Sequence, residues 1–245
     1  MDNKPNINNE IVIALAGNPN TGKSTIFNAL TGLRQHTGNW AGKTVTHAKG
    51  YYLHKGKKYS LIDLPGTYSL LANSNDELAA RDFIFFQKPS ATIVVADATN
   101  LERNLNLTLQ ITEVTKNVVL CVNLLDEAER KNIVINLEML SKKLGIPVVG
   151  TVARNQKGLT KLKDTIDDIV QNKIELKPLQ INYSSEIERK VEELVPQLEM
   201  IFGDQINTRW IALRLIEGDQ TIIDSMQQFL TADKLDIKGE IALCH

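Results

Sequence analysis

The chain has 245 residues, of which 42% are hydrophobic and 23% are charged, and its formal net charge is -1. These values are ordinary for a globular protein with a sizeable core, and the small net charge excludes a polyanion binder that acts through bulk charge. The two cysteines exclude a disulfide framework and the usual zinc spacings, which favours a reducing cytoplasm. Because no apolar run reaches the ~18–20 residues that span a bilayer, and residues 1–10 are polar, we expect a soluble chain without a signal peptide.

Apolar runs and helical patterns alternate along the first two thirds of the sequence. The predicted strands are residues 11–16, 45–53, 59–64, 91–96, 117–122 and 147–149. The predicted helices between them are residues 23–30, 76–86, 101–115, 135–144 and 159–171. This alternation predicts an α/β fold with a six-stranded, mostly parallel sheet and helices on both faces. A turn signal at 54–57 joins two of the strands as a hairpin, so one edge of the sheet is expected to be antiparallel.

The character of the sequence changes after about residue 177. Helical patterns cover residues 185–201, 208–216 and 221–229, a fourth is possible over 231–243, and strand-like runs are missing. Residues 175–245 carry 13 acidic and 7 basic side chains, whereas the preceding part is net basic. We therefore predict an α/β domain over 1–175 and a small all-α domain over 176–245, with no nucleic acid bound to the acidic part.

The first motif is a phosphate-binding loop at residues 17–24, whose sequence is Gly-Asn-Pro-Asn-Thr-Gly-Lys-Ser. It follows a predicted strand and begins a predicted helix, which is the context that G-x-x-x-x-G-K-[ST] requires. Glycine allows backbone N–H groups to turn toward phosphate oxygens, and the helix N-terminus adds its positive end. Lys23 is expected to bind the β- and γ-phosphates, and Ser24 to bind Mg²⁺. The predicted nucleotide contacts of the loop are Asn18, Asn20, Thr21, Gly22, Lys23, Ser24 and Thr25.

The second motif, Asp63-Leu-Pro-Gly66, ends a hydrophobic strand one hairpin after the phosphate loop. A carboxylate at this place faces the phosphates, so Asp63 is expected to hold Mg²⁺ through a water molecule. The Gly66 amide is expected to bond a γ-phosphate and so to sense its loss. An isolated Asp-x-x-Gly is usually a turn, and it is the position after the phosphate loop that indicates a nucleotide switch.

Two further motifs indicate the base. Asn123-Leu-Leu-Asp126 follows the strand 117–122, and its carboxylate can accept both N1–H and the 2-amino group of guanine, whereas adenine would leave Asp126 unpaired. Asn123 is expected to brace the loop and contact the purine. The weaker fourth motif begins Thr151-Val152-Ala153, and the Ala153 amide either meets guanine O6 or belongs to an ordinary loop. The predicted ligand is therefore GTP or GDP, and ATP is disfavoured.

These four motifs, in this order, resemble the translation-factor-related class of P-loop GTPases over residues 9–170. The stretch between the first two motifs narrows the resemblance. Residues 38–45, Gly-Asn-Trp-Ala-Gly-Lys-Thr-Val, resemble switch I of the ferrous-iron transport protein B family, the bacterial and archaeal iron transporters with a cytoplasmic GTPase. Residues 31–36 and 63–70 fit the same family, and residues 210–218 resemble part of its helical domain.

This resemblance implies roles for single residues. Thr44 corresponds to the switch I threonine that closes on Mg²⁺ and the γ-phosphate, and it joins Lys23, Gly66 and Asn20 as an expected catalytic residue. Many small GTPases have a water-orienting glutamine directly after Asp-x-x-Gly. The family lacks this glutamine, and this chain has Thr67 at the position. In potassium-activated GTPases an asparagine at the place of Asn20 binds K⁺ and stabilises the transition state; the alternative is that Asn20 only shapes the turn. Slow, K⁺-stimulated hydrolysis with Mg²⁺ is the expectation.

The resemblance also implies a setting for the chain. Residues 1–175 would be the GTP-binding domain of the transporter, and 176–245 its guanine-nucleotide-dissociation-inhibitor-like domain. The partner would be a transmembrane domain that this chain lacks, with oligomers formed through it, at the cytoplasmic face of the inner membrane. The chain would then be part of a longer protein, or the family divides its parts between chains. Two rivals are an RNA-binding GTPase of ribosome assembly or RNA modification, which the acidic tail disfavours, and a switch with negligible hydrolysis, which the missing glutamine allows.

Overall fold

A computed structural model describes residues 10–32, 35–39, 46–71, 74–203 and 206–233 of the chain. The chain divides between Gln180 and Ile181 into two compact units. The boundary predicted after residue 175 lies a few residues earlier, in the segment that follows the last helix of the first unit. Of the helices in the described ranges, none has both the length and the apolar character needed to cross a membrane.

A mostly parallel sheet forms the centre of the first unit. In the described part of the chain it has seven strands, which are β1 (Ile11–Gly17), β2 (Gln35–Asn39), β3 (Thr46–His54), β4 (Lys57–Asp63), β5 (Ala91–Asp97), β6 (Val118–Asn123) and β7 (Val148–Gly150). Their order across the sheet is β2-β3-β4-β1-β5-β6-β7. β1 pairs in parallel with β4 and β5, and the pairs β5–β6 and β6–β7 are also parallel. β3 pairs antiparallel with β2 and β4, which confirms the predicted class and the antiparallel edge.

The sheet has one strand more than the six predicted, and the additional strand is β2. Its sequence, Gln-His-Thr-Gly-Asn, contains neither β-branched aliphatic residues nor an apolar alternation, so the pattern did not indicate a strand. Among the described strands, β2 lies at the edge of the sheet and pairs with β3. An edge strand of this kind is held by backbone hydrogen bonds to its neighbour. The periodicity of side chains in the sequence does not indicate such bonds.

Helices cover both faces of the sheet. Those of the first unit are α1 (Lys23–Thr31), α2 (Asn75–Phe86), α3 (Leu101–Val114), α4 (Leu125–Arg130), α5 (Leu137–Leu144) and α6 (Leu159–Val170). Alternate residues of the central strands, such as Ile13 and Ile93, pack against α1 and α6 in one buried cluster. Leu107 and Ile111 of α3 are fully buried outside that cluster, and α3 contacts β5 and β6, so it covers the opposite face.

Two helices differ from the prediction in the region after β6. The short α4 was not predicted, because six residues, most of them charged, show no helical periodicity. The predicted helix 135–144 begins later, at Leu137, because the Asn136 side chain accepts a hydrogen bond from Met139 N at 2.8 Å and caps the helix there.

The second unit contains α7 (Ser185–Phe202), α8 (Thr208–Ile216) and α9 (Gln220–Asp233). Glu188 of α7 accepts two hydrogen bonds from the Arg209 guanidinium of α8, at 2.7 and 2.9 Å, which lowers the pKa of Glu188 to about 2. Trp210 and Ile211 bury the inner side of α8. α9 runs through residue 230 without the break that was predicted there, and the remainder of the fourth predicted helix, from residue 234, lies outside the described residues.

Candidate functional site

The phosphate-binding loop joins the end of β1 to the start of α1. Gly22 is the N-cap of α1 with φ of 80°, and Asn20 also has a left-handed backbone, with φ of 66°. A Cβ atom at Gly22 would lie 2.4 Å from Nδ2 of Asn123, so glycine is required by both the backbone and the neighbouring side chain. Because Gly22 has no side chain with which to cap α1, the first N–H groups of the helix are left available to bind an anion.

The side chains of this loop differ in their surroundings. Thr21 is buried, and its Oγ1 donates a hydrogen bond to the Asn18 carbonyl at 2.9 Å, which leaves its backbone amide as the group for a ligand. Asn18 is also buried, and its Oδ1 has no hydrogen-bond partner among the described residues. Asn20, Ser24 and Thr25 are exposed, so these are the loop side chains open to a bound group.

A largely buried ion pair joins the first two motifs. Lys23 Nζ donates directly to Oδ1 of Asp63, and the two side chains are only 12% and 16% exposed. The parallel register, with Leu15 opposite Asp63, brings the end of β4 beside the phosphate loop. Burial raises the pKa of Asp63, and the adjacent Lys23 ammonium opposes that shift. A cation for phosphate and a carboxylate for a metal thus lie side by side.

Backbone hydrogen bonds hold the Asp-x-x-Gly segment against the phosphate loop. Leu64 N donates to Leu15 O at 3.0 Å, and Thr67 N donates to Gly17 O at 3.2 Å. These two bonds lie on either side of Gly66 and fix its position next to the loop. Gly66 itself is half-buried, and its amide is placed within the same edge of the sheet as the ion pair.

The Thr67 side chain lies where many small GTPases have a water-orienting glutamine, and it forms hydrogen bonds within its own turn. Its hydroxyl donates to the Ser69 carbonyl and accepts from Ser69 N at 3.1 Å, and Thr67 is 3% exposed. Ser69 Oγ donates to Glu77 at 3.0 Å, and Leu70 N donates to Gln110 Oε1 at 2.7 Å, which extends the network to α2 and α3. The Thr67 hydroxyl is therefore engaged by two hydrogen bonds within its own turn.

Asn123 connects three of the four motifs. It is 1% exposed at the end of β6, and its Nδ2 donates to Thr21 O at 3.1 Å in the phosphate loop. Its Oδ1 accepts from Thr151 Oγ1 at 3.0 Å and from Ala153 N at 3.2 Å, both in the fourth motif. The expected bracing role of Asn123 matches these contacts. The Ala153 amide, for which guanine O6 and an ordinary loop were both open, donates to Asn123 here, and Val152 pairs with Lys157 through its backbone.

Asp126 lies in the first turn of α4. The N-cap residue of this helix, Leu124, has a left-handed backbone with φ of 63°. Arg154 Nη2 donates directly to Asp126 Oδ2, and Arg130 Nη2 lies 3.3 Å from the same oxygen. Asp126 Oδ1 is buried and has no hydrogen-bond partner among the described residues. Desolvation acts to raise the pKa of Asp126, but the two guanidinium groups, together with the Asp126 backbone N–H, outweigh it and lower the pKa. The carboxylate is thus ionised, with one oxygen unpaired.

The sequence-predicted residues therefore meet at one edge of the sheet, at the carboxyl ends of β1, β4, β6 and β7. This is where ligands bind in open parallel sheets. Thr44 lies outside the described residues, so its predicted position is not part of this arrangement. The contact of Arg154 with Asp126 was not predicted, although Arg154 follows Ala153 directly in the fourth motif. The only signal for this contact in the sequence was the basic side chain of Arg154 at the end of a motif that was expected to border the base.

The comparisons with known proteins point to one family. A family model described as Ferrous iron transport protein B matches residues 11–166, and the FeoB cytosolic helical domain model matches residues 183–242. The Fe(2+) transport protein A/Fe(2+) transporter FeoB fusion protein of Porphyromonas gingivalis is 43% identical over 222 residues, which cover 89% of this chain and 26% of that protein. The chain thus spans about a quarter of the length of the curated relatives it matches.

Solved structures agree with the family models. The cytosolic domain of L. pneumophila FeoB superposes with a TM-score of 0.81 at 35% identity, covering 94% of this chain and 90% of that one. The cytosolic domain of T. maritima FeoB in a GDP form gives a TM-score of 0.80 at 37% identity, covering 91% and 86%. The two family models together match most of the chain, the first model within the first unit and the second within the second unit. The chain therefore belongs to the ferrous iron transport protein B family and consists of a GTPase-fold G domain followed by the cytosolic helical domain.

Proposed function

We propose that this chain binds GTP and GDP, hydrolyses GTP, and serves as the nucleotide-dependent switch of a ferrous-iron transporter. The observation that carries the proposal is the position of Asn123, whose side chain ties the phosphate loop to the fourth motif. Phosphate-binding and base-binding elements are thereby held as one unit beside Asp126. In support, the FeoB cytosolic domain of T. maritima has been solved in a GDP form and in a GMPPNP form.

The residues at the phosphate loop fit a triphosphate with Mg²⁺. Exposed Ser24 and the Asp63 carboxylate are hard oxygen donors of the kind that Mg²⁺ prefers, and Lys23 lies next to them. Lys23 would bind phosphate oxygens, Ser24 and Asp63 would hold the ion, and Thr44 is the expected further ligand. When bound, Mg²⁺ neutralises charge that develops on the phosphates.

Guanine selection is assigned to Asp126. Its ionised carboxylate has a buried oxygen that accepts no hydrogen bond from the described residues, and guanine can satisfy this oxygen whereas adenine cannot. Asn123 braces the loop and borders the purine, while Thr151, Val152 and Ala153 form the wall on the far side.

Because the Thr67 hydroxyl is hydrogen-bonded within the chain, other groups must position the water that attacks GTP. We assign water positioning to the backbone of switch I and γ-phosphate sensing to the Gly66 amide. The exposed side chain of Asn20 is our candidate ligand for K⁺, which when bound supplies positive charge beside the phosphates. The left-handed backbone of Asn20 also fits the alternative, a residue that shapes the turn. If Asn20 binds K⁺, we expect slow GTP turnover that K⁺ stimulates.

The transporter setting follows from the relatives, whose names describe Fe(2+) transport. We assign residues 1–175 to the GTP-binding domain and 176–245 to a domain that slows GDP release, with the boundary in the segment between α6 and α7. The membrane domain of the same transporter is the proposed partner, at the cytoplasmic face of the inner membrane, and oligomers would form through that domain.

One experiment tests the proposed activity and the cation together. Phosphate release is measured from GTP and from ATP in K⁺, in Na⁺ and without a monovalent ion, at matched ionic strength. We expect hydrolysis of GTP but not ATP, and faster turnover in K⁺. Hydrolysis of both nucleotides at similar rates would contradict the guanine assignment, and equal rates in K⁺ and Na⁺ would reject the role of Asn20.

A further inference from the structure

The two oxygens of the Asp126 carboxylate have different surroundings. Oδ2 accepts from Arg154 Nη2 and lies 3.3 Å from Arg130 Nη2, whereas Oδ1 is buried without a partner in the described part of the chain. Guanine needs both oxygens, because its N1–H and its 2-amino group donate in parallel. With Arg154 and Arg130 both directed at Oδ2, the two lone-pair sites of this oxygen are engaged, so guanine has to compete with these arginines for it.

Arginine resembles the edge of guanine that Asp126 would bind. The N1–C2–N2 part of guanine is itself a guanidine, and an arginine side chain presents N–H donors in the same planar fork. Arg154 is therefore a chemical mimic of the ligand, placed on the carboxylate that selects the ligand.

The fold holds this mimic in place. Arg154 lies in a 3-10 turn directly after Ala153, and the Ala153 amide is bonded to Asn123 at 3.2 Å. The backbone of the turn is thus fixed to the base loop, while the Arg154 side chain is 55% exposed, and its Nη1 also lies 3.7 Å from Glu127 Oε1. Arg130 is a weaker competitor, since its shorter contact is with Glu127, at 2.9 Å.

We propose that Arg154 competes with guanine for the Asp126 carboxylate and thereby weakens and slows guanine-nucleotide binding. The inference rests on the proposed function, in which Asp126 selects guanine. A protein whose binding-competent form is only partly populated has an apparent affinity reduced by that fraction. Since half-exposed ion pairs are weak, the fraction is modest, and removal of the competitor should tighten GDP by about three- to fivefold.

The test uses the full chain and a fluorescent GDP analogue, with stopped-flow association and equilibrium titration. Arg154→Gln should bind GDP about three- to fivefold more tightly, mainly through faster association. Arg154→Lys, which keeps the charge but not the planar fork, should fall between the two. The control is Lys131→Gln, which removes a nearby exposed cation whose side chain forms no ion pair among the described residues; its backbone N–H, which bonds Glu127 O and Ala128 O, is unchanged, and its affinity should match the parent.

Two further measurements separate competition from a structural role. The gain from Arg154→Gln should vanish in an Asp126→Asn background, because an amide no longer attracts the guanidinium. It should also shrink as salt rises from about 0.05 to about 0.5 M, since screening weakens the ion pair.

Unchanged or weaker GDP binding by Arg154→Gln would overturn the proposal, as would an equal gain in Lys131→Gln. The failure of the proposed function is distinguishable from these results. If the parent chain bound GDP and ADP alike, guanine selection itself would be wrong and this inference would fall with it. If the parent preferred GDP but Arg154→Gln bound it no more tightly, only the competition would be rejected.

Discussion

Substitution of Gly22 by alanine probes the contact that makes the phosphate loop and the base loop one unit. The new Cβ would meet two obstacles: a left-handed backbone, with φ of 80°, and Nδ2 of Asn123 at 2.4 Å. The backbone strain costs about 1–2 kcal/mol. Displacing the Asn123 amide breaks its buried hydrogen bond with Thr21 O, which costs about 1–3 kcal/mol more. We expect Gly22→Ala to lower the free energy of unfolding by about 2–5 kcal/mol.

Gly32 offers a matched control. It too has a left-handed backbone, with φ of 61°, at the other end of α1, but a Cβ there would meet no described atom within 4 Å. Gly32→Ala should therefore show the strain alone, about 1–2 kcal/mol. Urea unfolding of both variants, without nucleotide, gives the two values, and titration with GDP shows whether only Gly22→Ala also loses binding. Equal destabilisation of the two variants would refute the reasoning from Asn123.

The remaining predictions concern Thr67 and the buried carboxylate Asp167. Thr67→Ala should keep the turnover of GTP within about threefold, because its hydroxyl is bonded to Ser69, and should cost about 1 kcal/mol in urea unfolding; a loss of turnover as large as that of a missing catalytic group would contradict this. Asp167 accepts from Tyr59 at 2.7 Å, which lowers its pKa, so its contribution to stability is fully present above the ordinary pKa near ~4 and is lost as the pH falls from there through the lowered pKa of the folded state. Asp167→Asn should therefore lose less stability than the parent between about pH 6 and 3 in urea titrations, and an equal loss in both proteins would contradict this assignment.

The sheet was predictable from sequence to the extent that its strands are buried. The strands at residues 11–17 and 91–97 are mostly apolar along their length because helices cover both faces there. The polar edge strand at 35–39 and the charged helix at 125–130 carry no such pattern. Their positions depend on pairing with a neighbour and on the left-handed Leu124, and both are properties of the fold around them.

The candidate site was predictable where a motif fixes the backbone and less so where side chains choose between partners. The glycine spacing and the strand-to-helix context indicated the phosphate loop. The sequence did not indicate that Ala153 N donates to Asn123, or that Arg154 binds Asp126. Such contacts join elements that are distant along the chain, and several donors compete for one acceptor.

The central claim is that Asp126 makes this a guanine-nucleotide site, and one displacement experiment tests it most directly. A fluorescent GDP analogue bound to the parent chain and to Asp126→Asn is displaced with GTP, ATP and xanthosine triphosphate. The parent should release the probe to GTP but not to ATP. Asp126→Asn should bind GTP at least about tenfold more weakly and favour xanthosine triphosphate, because the amide can donate to the xanthine oxygen. An unchanged preference for GTP in Asp126→Asn would contradict the account.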